Sequence, residues 1–248
     1  MNEKGQLSPS GVWIAEDFRS NLIIDRYDPV FADMRASKLK HLKSANSEDA
    51  VTWNVFRSLR QIVPSAWFPT LWTRAFPKSE IPAHDRIVVK LWLSVPPPIG
   101  LLAEGDEGAS EIDVVIEAPA WVWFLEAKHR SDISTGTTTR PGRDQVLRNL
   151  DVGSYYAGVR DFYFSLLISD AKRSPQGVQR VNEYANREQM LALLGHRPDK
   201  LVNQRGLGMV TWLDLKHALK TGGETATRED EKWYATRAVE WMTRSGWG

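Results

Sequence analysis

Two carboxylates and an ammonium stand in the stretch EIDVVIEAPAWVWFLEAKHR, residues 111–130: Asp113 near its start, Glu126 and Lys128 near its end. The residues between them are mostly apolar, β-branched or aromatic, the composition of two strands. Pro119 and Ala120 supply a tight turn, proline suiting its first central position. With that turn, Ala118 pairs with Trp121 and Asp113 falls opposite Glu126, so both carboxylates share a face. Alternation puts Lys128 on the same face, about 6 to 7 Å along the strand from Glu126. Two carboxylates so placed suit Mg²⁺ or Mn²⁺, hard cations that take oxygen ligands and keep several waters. The Ala127 carbonyl offers a further oxygen. A cation held there lowers the pKa of a bound water and stabilises charge on a phosphoryl oxygen. Lys128 would orient or deprotonate that water, or steady the phosphorus as it becomes five-coordinate.

The elements that must position these groups follow from periodicity. Val115, Val122 and Phe124 accompany the charges, while Ile112, Val114, Ile116, Trp121, Trp123, Leu125 and Ala127 take the other face. Both faces are apolar, so the hairpin is expected to be covered on each side. Upstream, NSEDAVTWNVFRSLRQIV (46–63) predicts a helix, with Asn46 or Ser47 as cap and Glu48 and Asp49 in the first turn. At about 100° per residue Glu48 lies within roughly 20° of Val55 and Leu59, on the inward side, where it could complete or enlarge a metal site. Residues 64–84 read as a connection rich in Pro and Trp, and 86–95 as a strand stopped by three prolines. Downstream come a helix over 143–159, a strand over 161–169, a helix over 180–195, a strand running into a helix over 206–220, and an amphipathic closing helix over 228–245. Residues 1–10 read as a disordered tail.

At Asp113, the hydrophobic run VVIEAPAWVWFL and Glu126-Ala127-Lys128, the chain resembles the restriction endonuclease-like, or PD-(D/E)xK, nuclease superfamily. Ile112 stands where that pattern's name has proline. The resemblance spans about half of the chain, from about 46 to 170. It implies an α/β fold with an αβββαβ core, a central mixed sheet flanked by helices, and helical additions at both ends. The expected division is an N-terminal extension over 1–45, a nuclease-like domain over 46–220, and a C-terminal helix over 221–248 packed on it. The resemblance also implies a Mg²⁺- or Mn²⁺-dependent nuclease hydrolysing phosphodiester bonds, with DNA the favoured substrate, in restriction, repair or phage defence. Asp113, Glu126, Lys128 and Glu48 are its implied catalytic residues, and Asp113, Glu126 and Glu48 its implied metal ligands. Gln145 matches a glutamine that some members carry on the following helix. The alternative is an inactive nuclease-like fold serving as a nucleic-acid-binding or assembly module.

A phosphate-binding rim is expected beside the hairpin. Lys128, Arg130, Arg140, Arg143 and Arg148 outnumber Asp132 and Asp144, a surplus of three positive charges in that span. Arg140 and Arg143 flank Pro141 and Gly142 before a helix N-terminus, which attracts phosphate. Thr137 to Thr139 add hydroxyl donors. His129 points away from Lys128 by alternation. The overall charge is only +1, so any nucleic-acid surface must come from local clustering. Cys is absent, which excludes a disulfide framework and thiolate metal sites. No apolar run is long enough to span a membrane, and a cytoplasmic protein is expected. There is no G-x-x-x-x-G-K-[S/T] loop, and GSYYAG (153–158) is not a nucleophile elbow. A protein partner or a homodimer is left open.

Overall fold

The computed structural model describes residues 4–101, 107–136 and 142–247. They divide into two compact units, one formed by 1–69 with 212–248, the other by 70–211. These limits differ from the expected 45 and 220 because the chain's two ends pack together. Trp247 donates its indole N–H to the Ala45 carbonyl at 3.2 Å, and Trp241 donates to the Asn21 side chain at 3.3 Å.

The first unit opens with strands β1 (Gly5–Leu7) and β2 (Trp13–Ala15), paired antiparallel. The expected disordered tail instead forms a strand over Gly5–Leu7. Its turn, Ser8 to Val12, closes through the Ser8 N–H on the Val12 carbonyl at 2.8 Å, with Gly11 at φ +77°; only glycine adopts that conformation freely. Two 3-10 turns, Phe18–Asn21 and Pro29–Ala32, lead to helices α1 (Ala36–Leu42) and α2 (Glu48–Leu59). The expected connection at 64–84 begins instead as helix α3 (Pro64–Ala75). Proline is well suited to a first helical position, and Trp67, Phe68, Leu71 and Trp72 recur at helical spacing and are buried. The unit division falls at Pro69, within this helix.

The second unit is built on a five-stranded sheet in the order β3 (Val88–Val95), β4 (Ser110–Ala118), β5 (Trp121–Ala127), β6 (Asp161–Ile168), β7 (Gln204–Thr211). β3, β4 and β5 pair antiparallel; β5 with β6 and β6 with β7 pair parallel. Parallel neighbours need a crossover. It is supplied by α4 (Gln145–Ala157) between β5 and β6, and by α5 (Pro175–Tyr184) and α6 (Arg187–Ala192) between β6 and β7. The single helix expected over 180–195 is two helices, because Asn186 caps the second by accepting the Gln189 N–H at 3.3 Å. One sheet face, with Val122, Phe124, Phe162 and Phe164, packs on Val146, Leu147 and Leu150 of α4. The other carries Trp121, Trp123 and Tyr163 against Trp72 and Phe76. The expected cover on both sides is present, and the α/β class with a mixed sheet flanked by helices is the fold observed. Helices α7 (Trp212–Thr225) and α8 (Glu229–Arg244) return to the first unit. Among the described residues no helix is long and apolar enough to cross a membrane.

Candidate active site

The hairpin register runs from Ala118 opposite Trp121 to Val114 opposite Leu125, the expected phase. One step further sets Asp113 across from Glu126. There the side chain of Asp113 takes over from the backbone ladder: its Oδ2 accepts the Ala127 N–H at 2.8 Å. The geometry of β5 explains why that N–H is available to it. The Lys128 N–H donates to the Leu167 carbonyl on β6 at 2.7 Å. Alternation then aims the Ala127 N–H the other way, toward β4. A backbone donor at a strand end must find a partner, and here it is a carboxylate.

Glu126 is the centre of the arrangement. Lys128 Nζ lies 2.6 Å from its Oε1, and the Gln145 side-chain amide donates to the same oxygen. The Asn149 side-chain amide donates to Oε2 at 2.7 Å. Glu126 is 2% exposed and Lys128 8%, so the ion pair is shielded from water and its charges must be satisfied within the protein. Gln145 and Asn149 are four apart on α4, one turn of a helix, and so present one ridge to the sheet. Asp144 fixes where that helix begins, accepting the Leu147 N–H at 3.0 Å. Gly153 lets α4 approach closely: a Cβ there would meet Phe162 at 2.2 Å and Phe124 at 2.9 Å. The backbone of Gln145 is tied down as well, its N–H donating to the Ser134 carbonyl at 2.9 Å. Sequence reasoning singled out Gln145 but not Asn149; its position one turn on, facing the strand that carries Glu126, is the signal that would have found it.

Asp113 and Glu126 against Lys128 leave one net negative charge, and the two carboxylates are oxygen donors. That is the chemistry a hard divalent cation prefers. Among the described residues no group of three or more His, Cys, Asp or Glu side chains stands in a metal-ligating arrangement. Glu48, the expected third carboxylate, opens α2 in the other unit.

The expected phosphate rim takes a different form. Arg140 and Thr137 to Thr139 lie outside the described residues. Arg143 is 5% exposed and enclosed by carboxylates, not open at a rim. Its guanidinium donates to Glu107 at 3.1 Å and pairs with Asp151, which is also held by Arg197 at 2.6 Å and by His196 at 2.7 Å. Burial of Asp151 would raise its pKa, but the Arg143 charge and hydrogen bonds from Arg197, Arg143 and His196 outweigh it and hold the carboxyl below its usual range. The N-terminus of α4 meanwhile already has a carboxylate, Asp144, which also accepts from the Tyr184 hydroxyl. His129 lies on the face opposite Lys128, as alternation predicts, with Nδ1 2.7 Å from Ser169 Oγ. Its burial, and then the charges of Arg130 and Arg173, push its pKa down to about 4.

No family model and no curated protein matches this chain. One solved structure, the crystal structure of a protein of unknown function, AF1548, is similar at 13% identity and a TM-score of 0.21, over 73% of this chain and 96% of that one.

Proposed function

We propose that the second unit carries a metal-dependent nuclease site of the restriction endonuclease-like kind, hydrolysing phosphodiester bonds, with DNA as the substrate. The observation that carries this reading is the convergence on Glu126. Lys128 from the end of the same strand and Gln145 from the following helix bond its carboxylate, and Asp113, on the adjoining strand, holds the N–H of the next residue, Ala127. Order and spacing along the chain are those of the resemblance, and the strand order adds the three antiparallel strands, helix and parallel strand that it requires.

Asp113 and Glu126 would hold Mg²⁺ or Mn²⁺, which when bound acidifies a water and neutralises phosphoryl charge. Asp113 is half-buried, more exposed than Glu126. Lys128 Nζ, an ammonium anchored by Glu126, orients the attacking water, whose proton passes to solvent. A new bond forms from that water's oxygen to phosphorus. The bond to the leaving oxygen breaks, and that oxygen departs with a proton. Gln145 holds Glu126 in one rotamer and so fixes where Lys128 points.

A second reading is favoured by one feature. Glu126 already has three donors and almost no exposure, the pattern of a structural cluster in an inactive nuclease-like fold. Incubation with circular, linear and single-stranded DNA and with RNA, in Mg²⁺, Mn²⁺ or EDTA, separates the two. The nuclease reading expects metal-dependent cutting that Lys128→Ala abolishes while circular dichroism stays native. A folded wild-type protein that cuts none of these substrates in either metal contradicts it.

A further inference from the structure

The first unit holds two adjoining clefts that share Ser20. The first, about 1290 Å³, lies between β2, the 3-10 turn at Phe18–Asn21 and α1. Its charged lining is Lys4, Arg19, Lys40 and Lys43 against Glu16 and Asp17. The second, about 640 Å³, has Arg26, Arg237 and Arg244 against Glu240. Seven basic and three acidic residues give these clefts +4, whereas the whole chain carries +1, leaving −3 for the remainder. These clefts are thus locally basic in a near-neutral chain, the footprint of a polyanion site.

Trp233 lines the second cleft, and Tyr27, outside both, lies under Arg19 of the first. Tyr27 is 83% exposed and Trp233 48%. Arg19 lies over the Tyr27 ring at 5.4 Å, and Arg237 over Trp233 at 5.5 Å. Exposed rings backed by guanidinium groups are stacking platforms for unpaired bases, while the neighbouring cations track the phosphates. Within a duplex the bases are already stacked and their faces hidden. Lys40 and Arg26 make no ion pair among the described residues, so their charge is not spent internally. Lys43 differs, donating to the Glu16 carbonyl at 2.8 Å.

We propose that these two clefts and the adjoining Tyr27 bind a single-stranded segment of nucleic acid, its phosphates on Lys4, Lys40 and Arg26 and its bases on Tyr27 and Trp233. The proposal rests on the nuclease reading only in naming the form of the substrate; the binding itself is independent of it.

The test is fluorescence anisotropy of a labelled 20-nucleotide single strand in EDTA, across a salt series, using the full chain. Wild-type affinity should fall steeply with salt. The double variant Arg26→Glu with Lys40→Glu should bind at least about tenfold more weakly, with a log–log salt slope shallower by about 1.4, the value for two phosphate contacts on a single strand. Trp233→Ala should lose about fivefold or more. Native circular dichroism of each variant establishes that the loss is not unfolding. Unchanged affinity in either variant overturns the proposal, as does tighter binding to phosphatidylserine vesicles than to the strand. Because EDTA removes the metal, the outcome is separate from catalysis. Binding that depends on Arg26 and Lys40 in a protein that never cuts would sustain this inference and sink the nuclease reading. Cutting with unaltered binding in both variants would do the reverse.

Discussion

Three buried or half-buried carboxylates, two on the sheet face that α4 covers and one on α4 itself, have surroundings that differ in kind. Glu117, on the same face as Glu126, is held by Lys90 and by Arg160 at 3.0 Å, with the Tyr156 hydroxyl at 3.1 Å. Burial opposes its ionisation, but the hydrogen bonds from Lys90 and Arg160 prevail and keep its pKa below the usual range. Asp151, on α4 itself, is enclosed by Arg143, Arg197 and His196. Each of these two carboxylates has at least as much positive charge around it as it needs. Glu126 has one ammonium, two neutral amides and a second carboxylate across the hairpin. The lesson is that Glu117 and Asp151 are each met by two or more cationic side chains, whereas the donors on Glu126 are one ammonium and two neutral amides. An ion pair is common in a fold; two carboxylates set across a hairpin are the oxygen donors a hard divalent cation takes.

The contrast can be broken most severely at Asp151. Asp151→Ala leaves Arg143 and Arg197, 5% and 4% exposed, without their shared carboxylate. Urea denaturation should show a loss of about 3–5 kcal/mol. A loss below about 1 kcal/mol would mean that this network is not the self-contained structural element described. A smaller effect distinguishes the two sides of the β5 end. His129 has a folded pKa of about 4 against an ordinary 6.5. Between those values the unfolded chain binds a proton that the folded chain refuses. Stability is therefore complete above pH 6.5 and falls as the pH drops toward 4, by up to about 3 kcal/mol. Chemical denaturation at a series of pH values should show this slope, and His129→Gln should flatten it. Smallest of the three, Asn149→Ala removes one donor to Glu126 and should cost about 1–2 kcal/mol. On the nuclease reading it should reduce cutting only mildly, since Gln145 and Lys128 still hold the carboxylate.

The hairpin was legible in the sequence because its signals are local. Pro119-Ala120 fixes the turn, the turn fixes the register, and period-2 alternation then assigns every side chain a face. Gln145 was legible for a similar reason, standing at the start of a helix that must cross back over the sheet. What the sequence did not disclose depends on distant partners. Arg143 reads as a rim cation when only its neighbours Pro141 and Gly142 are considered; Asp151, Arg197 and Glu107, which enclose it, come from three other places in the chain. The division into units was hidden likewise, because nothing local marks Trp241 and Trp247 as partners of Asn21 and Ala45. Helix α3 was obscured by its prolines, read as breakers although one of them starts the helix.

Metal binding by the Asp113–Glu126 pair is tested most directly by isothermal titration of Mn²⁺ into the wild-type protein and Asp113→Asn. The substitution removes a charge but keeps an oxygen that can accept the Ala127 N–H, so the urea midpoint should change by no more than about 1 kcal/mol in stability. Wild-type protein should bind one Mn²⁺, Asp113→Asn at least about tenfold more weakly, and Glu117→Gln as well as wild type. A wild-type chain with no heat of binding at millimolar Mn²⁺, or an Asp113→Asn protein with undiminished affinity, would contradict the account.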